Sequence, residues 1–345
     1  MYNKITPPTN VADTRMPSIA FVIPYFGKLP TYFPLWLSSC RQNPSVDFLI
    51  FTDDHTAYDY PKNVLVEYTT FSQIQKLLQN CFEFPISLST PYKLCDYKPV
   101  YGRAFAAWLQ DYDFWGHCDV DLVWGNIRNF FTDELLINYE RVLWQGHCSI
   151  YRNCEKINNY YHTLDNKGCM DWKTVYTSEQ NQSYDEYAEH NGGGLSLIME
   201  RNGIPMYKKW IFADLCLWLR RFQLSYSENT YYTTDADSRA SFFLRDKKGL
   251  YLFYRKNGQT RKQEFLYAHF QKRQLTLPRA FSPYSEQYLI LPPGKVRLFN
   301  NILSEQDIRR QFQRNNYNAT ITTNFFMTCL MGFRSFNCVS VPCEK

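Results

Sequence analysis

Three apolar runs of strand length stand in the first 125 residues, and each gives way to polar or acidic chain. Ser18 to Ile23 stops at Pro24, Val46 to Phe51 stops at Thr52-Asp53-Asp54, and the run from Asp113 through Cys118 delivers Asp119-Val120-Asp121. Apolar runs without alternation belong to strands covered on both faces. Val64-Leu65-Val66 adds a shorter strand. Helical patterns lie between them. Thr70-Phe71-Ser72-Gln73 has capping-box spacing, and Phe71, Ile74, Leu77, Leu78 and Cys81 share one helical face. Tyr101, Phe105, Trp108 or Leu109, and Tyr112 repeat the helical period. Strand alternating with helix predicts an α/β fold around a buried, mostly parallel sheet, with chemistry beyond the carboxyl ends of its strands.

The Asp-x-Asp pattern occurs three times in the 345 residues. Asp111-Tyr112-Asp113 ends a helical pattern and Asp235-Ala236-Asp237 sits in a Thr/Ser-rich loop, so only Asp119 and Asp121 follow a strand. In extended chain, residues i and i+2 point the same way, which would aim both carboxylates at a hard divalent cation. A solvated turn would use the same residues.

Other candidates fall at element ends. Asp53 and Asp54 close a strand, where an aspartate can accept from a ribose or a base edge or can cap a turn. Lys93, Asp96 and Lys98 stand in or before the first turn of a helix, against the dipole, which suits a bound anion as well as ordinary surface lysines. No Gly-x-Gly-x-x-Gly and no Walker lysine loop is present, which argues against dinucleotide enzymes and P-loop NTPases. A helix is expected from Gly125 through Tyr139 and a strand at Val142-Leu143-Trp144, while residues 153–190 read as an acceptor-side insertion ending in Asp185-Glu186 and the turn Gly192-Gly193-Gly194. Leu195 to Met199 reads as a further strand, and Asp214 stands alone among tryptophans and leucines. His269, after a strand-like run, is followed by Lys272 and Arg273, a set that could complete a metal site and neutralise phosphates. Pro278 to Pro293 reads as loop, Ser304-Glu305-Gln306-Asp307 as the start of a helix, and Asn324 to Phe336 as an apolar stretch able to dock on the domain or on a membrane surface.

Composition removes several classes. A net charge of +5 without a dense basic stripe argues against nucleic acid as a partner. Aromatic residues make up 18% of the chain, which suits platforms in a carbohydrate cleft and equally a tyrosine-rich core. Eleven cysteines without regular spacing suit reduced thiols in the cytoplasm better than a disulfide scaffold. Met1 to Pro17 reads as a polar tail without a signal peptide, no apolar run reaches transmembrane length, and the acceptor patterns at Asn181 and Asn318 are coincidental on that reading.

Six pieces in order carry a family resemblance: residues 21–27 (FVIPYFG), 47–54 (DFLIFTDD), 91–102 (PYKLCDYKPVYG), 113–125 (DFWGHCDVDLVWG), 146–153 (GHCSIYRN) and 267–273 (YAHFQKR). Together they resemble bacterial GT-A-type glycosyltransferases of capsule and O-antigen clusters. The resemblance implies a single Rossmann-like α/β/α sandwich with a mixed, mostly parallel sheet over 18–275, divided into a nucleotide-binding half (about 18–125) and an acceptor half (about 126–275). A C-terminal extension, 276–345 and helical in part, would follow. It implies a UDP-sugar donor, galactose or galactofuranose being the favoured sugar, with Mn²⁺ or Mg²⁺ held by Asp119, Asp121 and His269. Pro24, Tyr25 and Asp53 would line the nucleoside pocket, with Asp96 and Lys98 near ribose and phosphate. Asp185 or Glu186, with Asp214 in reserve, would be the base of an inverting enzyme. The acceptor would be an oligosaccharide or lipid-linked glycan, leaving room for peripheral contact with the inner membrane face. A metal-dependent sugar nucleotidyltransferase and a non-catalytic carbohydrate-binding protein are the competing readings.

Overall fold

The first apolar run lies in the middle of a sheet. In a computed structural model that describes residues 15–216, 219–225, 241–299 and 301–315, β1 (Ile19–Tyr25) is flanked by β2 (Asp47–Thr52), then β3 (Val64–Tyr68), and on its other side by β4 (Phe114–Cys118). These four strands run parallel. The strand pleat sends Ile19, Phe21 and Ile23 into one core and Ala20 and Val22 into another, so both faces are covered. Pro24 is tolerated because pairing with β4 ends at Val22↔His117.

Beyond β4 the chain forms β5 (Leu122–Trp124), β6 (Arg141–Gln145), β7 (Cys148–Arg152) and β8 (Met206–Tyr207). The large sheet has the order β3-β2-β1-β4-β7-β6-β8, with β7 antiparallel to both of its neighbours and β8 parallel to β6. This is a mixed, mostly parallel sheet in an α/β fold, as expected. Helix α1 (Phe33–Arg41) buries Phe33, Leu35, Trp36 and Leu37. Helix α2 (Phe71–Gln79) opens with the predicted capping box, Thr70 accepting from the Gln73 amide and Gln73 from the Thr70 amide.

The remaining strands are β9 (Ala213–Asp214), β10 (Phe242–Asp246), β11 (Gly249–Lys256), β12 (Gln259–Phe265), β13 (Tyr267–His269), β14 (Tyr288–Leu291) and β15 (Lys295–Leu298). They build a three-stranded sheet, β5-β13-β9, and an antiparallel five-stranded sheet, β12-β11-β10-β14-β15.

Four local expectations change. Leu195 to Met199 is helical, in Leu195–Arg201, because Leu195, Ile198 and Met199 fall at i, i+3 and i+4 and are buried together. The helix expected from about Lys98 to Tyr112 is broken into short turns around Pro99, which has no amide hydrogen to donate. The one expected through Tyr139 shrinks to a turn at Ile127–Asn129 and a helix at Asp133–Asn138. Pro278 to Pro293 is not wholly loop, since it contains the fully buried β14. The expected helix after Ser304 spans 305–315, and Ser304 Oγ accepts from the Asp307 amide at 3.1 Å. The boundary placed at 275 runs through the five-stranded sheet, in which β14 pairs back onto β10 and β15 pairs onto β14. Most of the polar tail, Asp235-Ala236-Asp237, Asn318 and the apolar stretch 324–336 lie outside the described residues.

Candidate functional site

β4 ends at Cys118, and the Asp119 amide donates to the His147 carbonyl at 3.0 Å. The chain then turns at Val120 and Asp121 into β5, so the two carboxylates converge through a turn rather than along an extended strand. β5 pairs antiparallel with β13 in the register Leu122↔His269, and Phe270 donates its amide to the Asp121 carbonyl at 3.1 Å. This pairing brings the late histidine to the aspartates: His269 Nε2 lies 3.5 Å from Asp121 Oδ1. On the far side of β13, β9 sets Asp214 against His269, with Nδ1 to Oδ1 at 2.8 Å. Gln271 Nε2 donates to the same oxygen at 2.9 Å.

One ligand atom from each of Asp119, Asp121 and His269 lies within 4.8 Å of the others. The set fits a divalent cation. Asp121 Oδ1 is buried without a hydrogen-bond partner, and its 3.5 Å approach to His269 leaves acceptor capacity open. Two carboxylates and an imidazole suit Mn²⁺ or Mg²⁺. Burial works against a charge on His269, but its contacts with Asp121 and Asp214 outweigh that and hold its pKa up at about 10. Cation binding at Nε2 would displace that proton and leave Nδ1–H on Asp214, the usual arrangement of a metal-bound histidine backed by a carboxylate.

The triad opens on a cleft of about 640 Å³. The end of β1 supplies Pro24, Tyr25 and Phe26 to one side, and Tyr92, Lys98, Asp185 and Glu186 line another, with Lys272 also on the wall. Lys98 is buried, donating to Asp119 Oδ1 at 2.9 Å and to the Gly146 carbonyl, with Asp185 Oδ2 at 3.9 Å. Burial drives the Asp185 carboxyl up to about 8 despite the pull of Lys98.

Two glycines hold this wall in place. A Cβ on Gly146 would stand 2.4 Å from Glu186 Oε1 and 2.7 Å from Asp185 Oδ2, and the Gly146 amide donates to that Glu186 oxygen at 2.8 Å. A Cβ on Gly194 would meet the Glu186 carbonyl oxygen at 2.4 Å, so the glycine turn lets the helix behind it pack directly against 184–186. Arg141 Nη2, at 2.9 Å, and Ser196 Oγ, at 3.2 Å, clamp the Asp185 carbonyl.

Three predicted ligand-binding residues stand elsewhere. Asp96 is buried with both oxygens committed, one to Lys93 and the Gln182 amide, the other to the Tyr184 amide, so it pins the loop at 182–184 instead of meeting a ribose. Arg273 donates to the carbonyls of Cys216 and Leu219 and holds that segment instead of facing phosphate. Asp53 is exposed and bonds the Gly27 amide at 2.7 Å, shaping the loop after β1 from outside the cleft lining. Asp214, held in reserve as a base, stands behind His269. His147 and Tyr92 also line the cleft, without a sequence pattern of their own that points to it. His147 reaches the cleft because the hairpin β6–β7 turns at Gly146, and pairing of β7 with β4 at Cys118↔Cys148 places it beside Asp119.

One family model matches residues 21–298. The chain belongs to that family, DUF6625, described as a family of unknown function. The match to DUF6625 takes in the Asp119–Asp121 turn, the cleft wall and His269 and ends with β15. No curated protein matches the chain. Among solved structures, the crystal structure of mouse xyloside xylosyltransferase 1 in its apo form is similar at 11% identity and a TM-score of 0.33, covering 58% of this chain and 88% of that one. Among the described residues no helix is long and apolar enough to cross a membrane.

Proposed function

We propose that this DUF6625 protein is a glycosyltransferase that moves a sugar from a nucleotide-sugar donor to a hydroxyl of a surface-polysaccharide or lipid-linked glycan acceptor. The donor is a UDP-sugar on this reading, with galactose or galactofuranose favoured, and the cation is Mn²⁺ or Mg²⁺. The observation that carries it is the meeting of Asp119, Asp121 and His269, two strand systems apart in sequence, within 4.8 Å at one cleft. A divalent cation held there would offset charge developing on the departing nucleoside diphosphate. Pro24 and Tyr25 offer the nucleoside a wall at the end of β1, and Lys272 supplies fixed positive charge to the diphosphate. Asp185 or Glu186 takes the acceptor proton if the reaction inverts configuration, and a retaining reaction needs neither.

The nucleotidyltransferase reading needs a basic, glycine-rich cradle after β1. The loop after β1 instead has a single glycine, Gly27, and a single lysine, Lys28, whose Nζ lies 2.7 Å from Asp54 Oδ1. The test is Asp121→Asn. Mn²⁺-dependent turnover of UDP-sugars is expected to fall by at least a hundredfold with thermal unfolding preserved. Full activity in that variant would remove the metal assignment, and glycan binding unaffected by chelators with no donor binding would favour a non-catalytic carbohydrate-binding protein.

A further inference from the structure

A second group of ligand atoms shares His269. One atom from each of His147, Asp214 and His269 lies within 4.8 Å of the others. His147 is 7% exposed, and its Nε2 is buried with no hydrogen-bond partner. Its Nδ1 lies 3.1 Å from the Tyr267 hydroxyl. With Nδ1–H donating to that hydroxyl, Nε2 presents a lone pair, and an unfilled buried acceptor costs free energy until something occupies it. The His147 and His269 rings lie 4.2 Å apart, centroid to centroid, on the wall of the cleft. Gln271 bonds only Oδ1 of Asp214. Lys98 on the same cleft is turned toward Asp119 and the Gly146 carbonyl.

We propose that His147, Asp214 and His269 form a second cation site, suited to a borderline metal such as Zn²⁺, and that filling it withdraws His269 from Asp119 and Asp121. Two imidazoles and one carboxylate match the four-coordinate preference of Zn²⁺, with the fourth position open to solvent in the cleft. The set around Asp119 and Asp121 is richer in oxygen and suits Mn²⁺ or Mg²⁺. The two sets compete for one imidazole, so Zn²⁺ acts as an inhibitor. The inhibitory half rests on the transferase reading, whereas the binding half does not.

The experiment is titration of the metal-free full chain with Zn²⁺ by calorimetry, and with Co²⁺ followed by visible absorption, in wild type, His147→Gln and the pair Asp119→Asn/Asp121→Asn. Wild type is expected to bind one Zn²⁺ tightly and to give an intense tetrahedral Co²⁺ spectrum without thiolate charge-transfer bands. H147Q should weaken Zn²⁺ at least tenfold, while the Asp119/Asp121 pair should retain it. Zn²⁺ bound as tightly by H147Q, lost in the Asp119/Asp121 pair, or carrying a cysteine signature overturns the site. If H147Q does not melt cooperatively without metal, Asp214→Asn takes its place with the same expected loss. If both unfold, the Co²⁺ spectrum of the wild type decides. In turnover assays with Mn²⁺, Zn²⁺ should inhibit wild type and spare H147Q. Zn²⁺ binding without inhibition would overturn the competition while leaving the site, and absence of any turnover would count against the transferase reading alone.

Discussion

Asp185 shows how one side chain can link the cleft to the stability of the whole chain. An unfolded aspartate titrates near pH 4, whereas burial pushes Asp185 up to about 8 with Lys98 opposing. The folded state therefore holds this proton more tightly than the unfolded state does. The resulting contribution to stability is complete below about pH 4 and is lost as pH rises through about 8. Asp185→Asn keeps a neutral group of the same size and is expected to remove that loss. Melting temperatures of wild type and D185N should converge in mild acid and separate in favour of the variant toward pH 9. A constant gap across that range would mean that Asp185 is ionised throughout. At this scale the sequence was legible where chemistry and position coincide: Asp119 and Asp121 close an apolar run, and the cleft opens beside them. It was not legible where position depends on distant pairing. His147 looks like any histidine after a glycine until β7 sets it beside β4, and Asp214 changes from a candidate base to a partner of His269 only through the β9–β13 register.

Among the elements, the pinned loop between the helix Trp172–Thr177 and the glycine turn carries the most weight. It has little regular structure of its own, and its shape comes from Asp96, which accepts from the Gln182 amide at 2.8 Å and the Tyr184 amide at 2.9 Å. Lys93 closes the arrangement, its ammonium 2.7 Å from Asp96 with both side chains almost wholly buried. Removing one member of a buried pair leaves the other uncompensated, typically at about 3–5 kcal/mol. Asp96→Ala is expected to lose about that much in urea unfolding and, by releasing 182–184, to weaken acceptor use more than donor binding. A loss below about 1 kcal/mol would show that the loop holds its shape without this pair. The acidic residue in a short helical turn was visible in the sequence, but its two amide partners lie 86 and 88 residues away. Local pattern served better for α2, whose capping box and apolar face are both local. It failed at Leu195–Arg201, where a short apolar run fits a strand and a helix equally until Gly194 sets the close approach to 184–186.

For the molecule as a whole, the three-stranded sheet β5-β13-β9 and the five-stranded sheet share one apolar cluster. Val123 of β5, Ala213 of β9 and Ala268 of β13 pack with Phe243, Leu250, Leu252, Tyr288, Ile290 and Val296, and α1 contributes Leu35. Ser38 and Arg41 of α1 also bond the carbonyls of Ser285 and Pro283 at 2.6 and 3.1 Å. The strands that carry Asp214 and His269 therefore rest on residues beyond 275. β14 is an apolar run of only four residues and β15 alternates over only four, with Pro292-Pro293 between them, so neither stands out locally from loop. Full burial of side chains of this size contributes about 1.5–3 kcal/mol each. Loss of Tyr288, Ile290 and Val296 together with the β10–β14 pairing would consume most of a typical margin of about 5–15 kcal/mol. A chain ended at residue 275 is expected to lose its cooperative thermal transition and, with it, any stabilisation by Mn²⁺ and UDP. If residues 18–275 were a self-sufficient domain, that truncated chain would melt cooperatively and still gain stability from UDP with Mn²⁺, and such a result would return the second sheet to the status of an appendage. Circular dichroism melts of the two chains, each with and without UDP and Mn²⁺, distinguish the cases, because a shared cluster cannot be halved without exposing the strands that position His269.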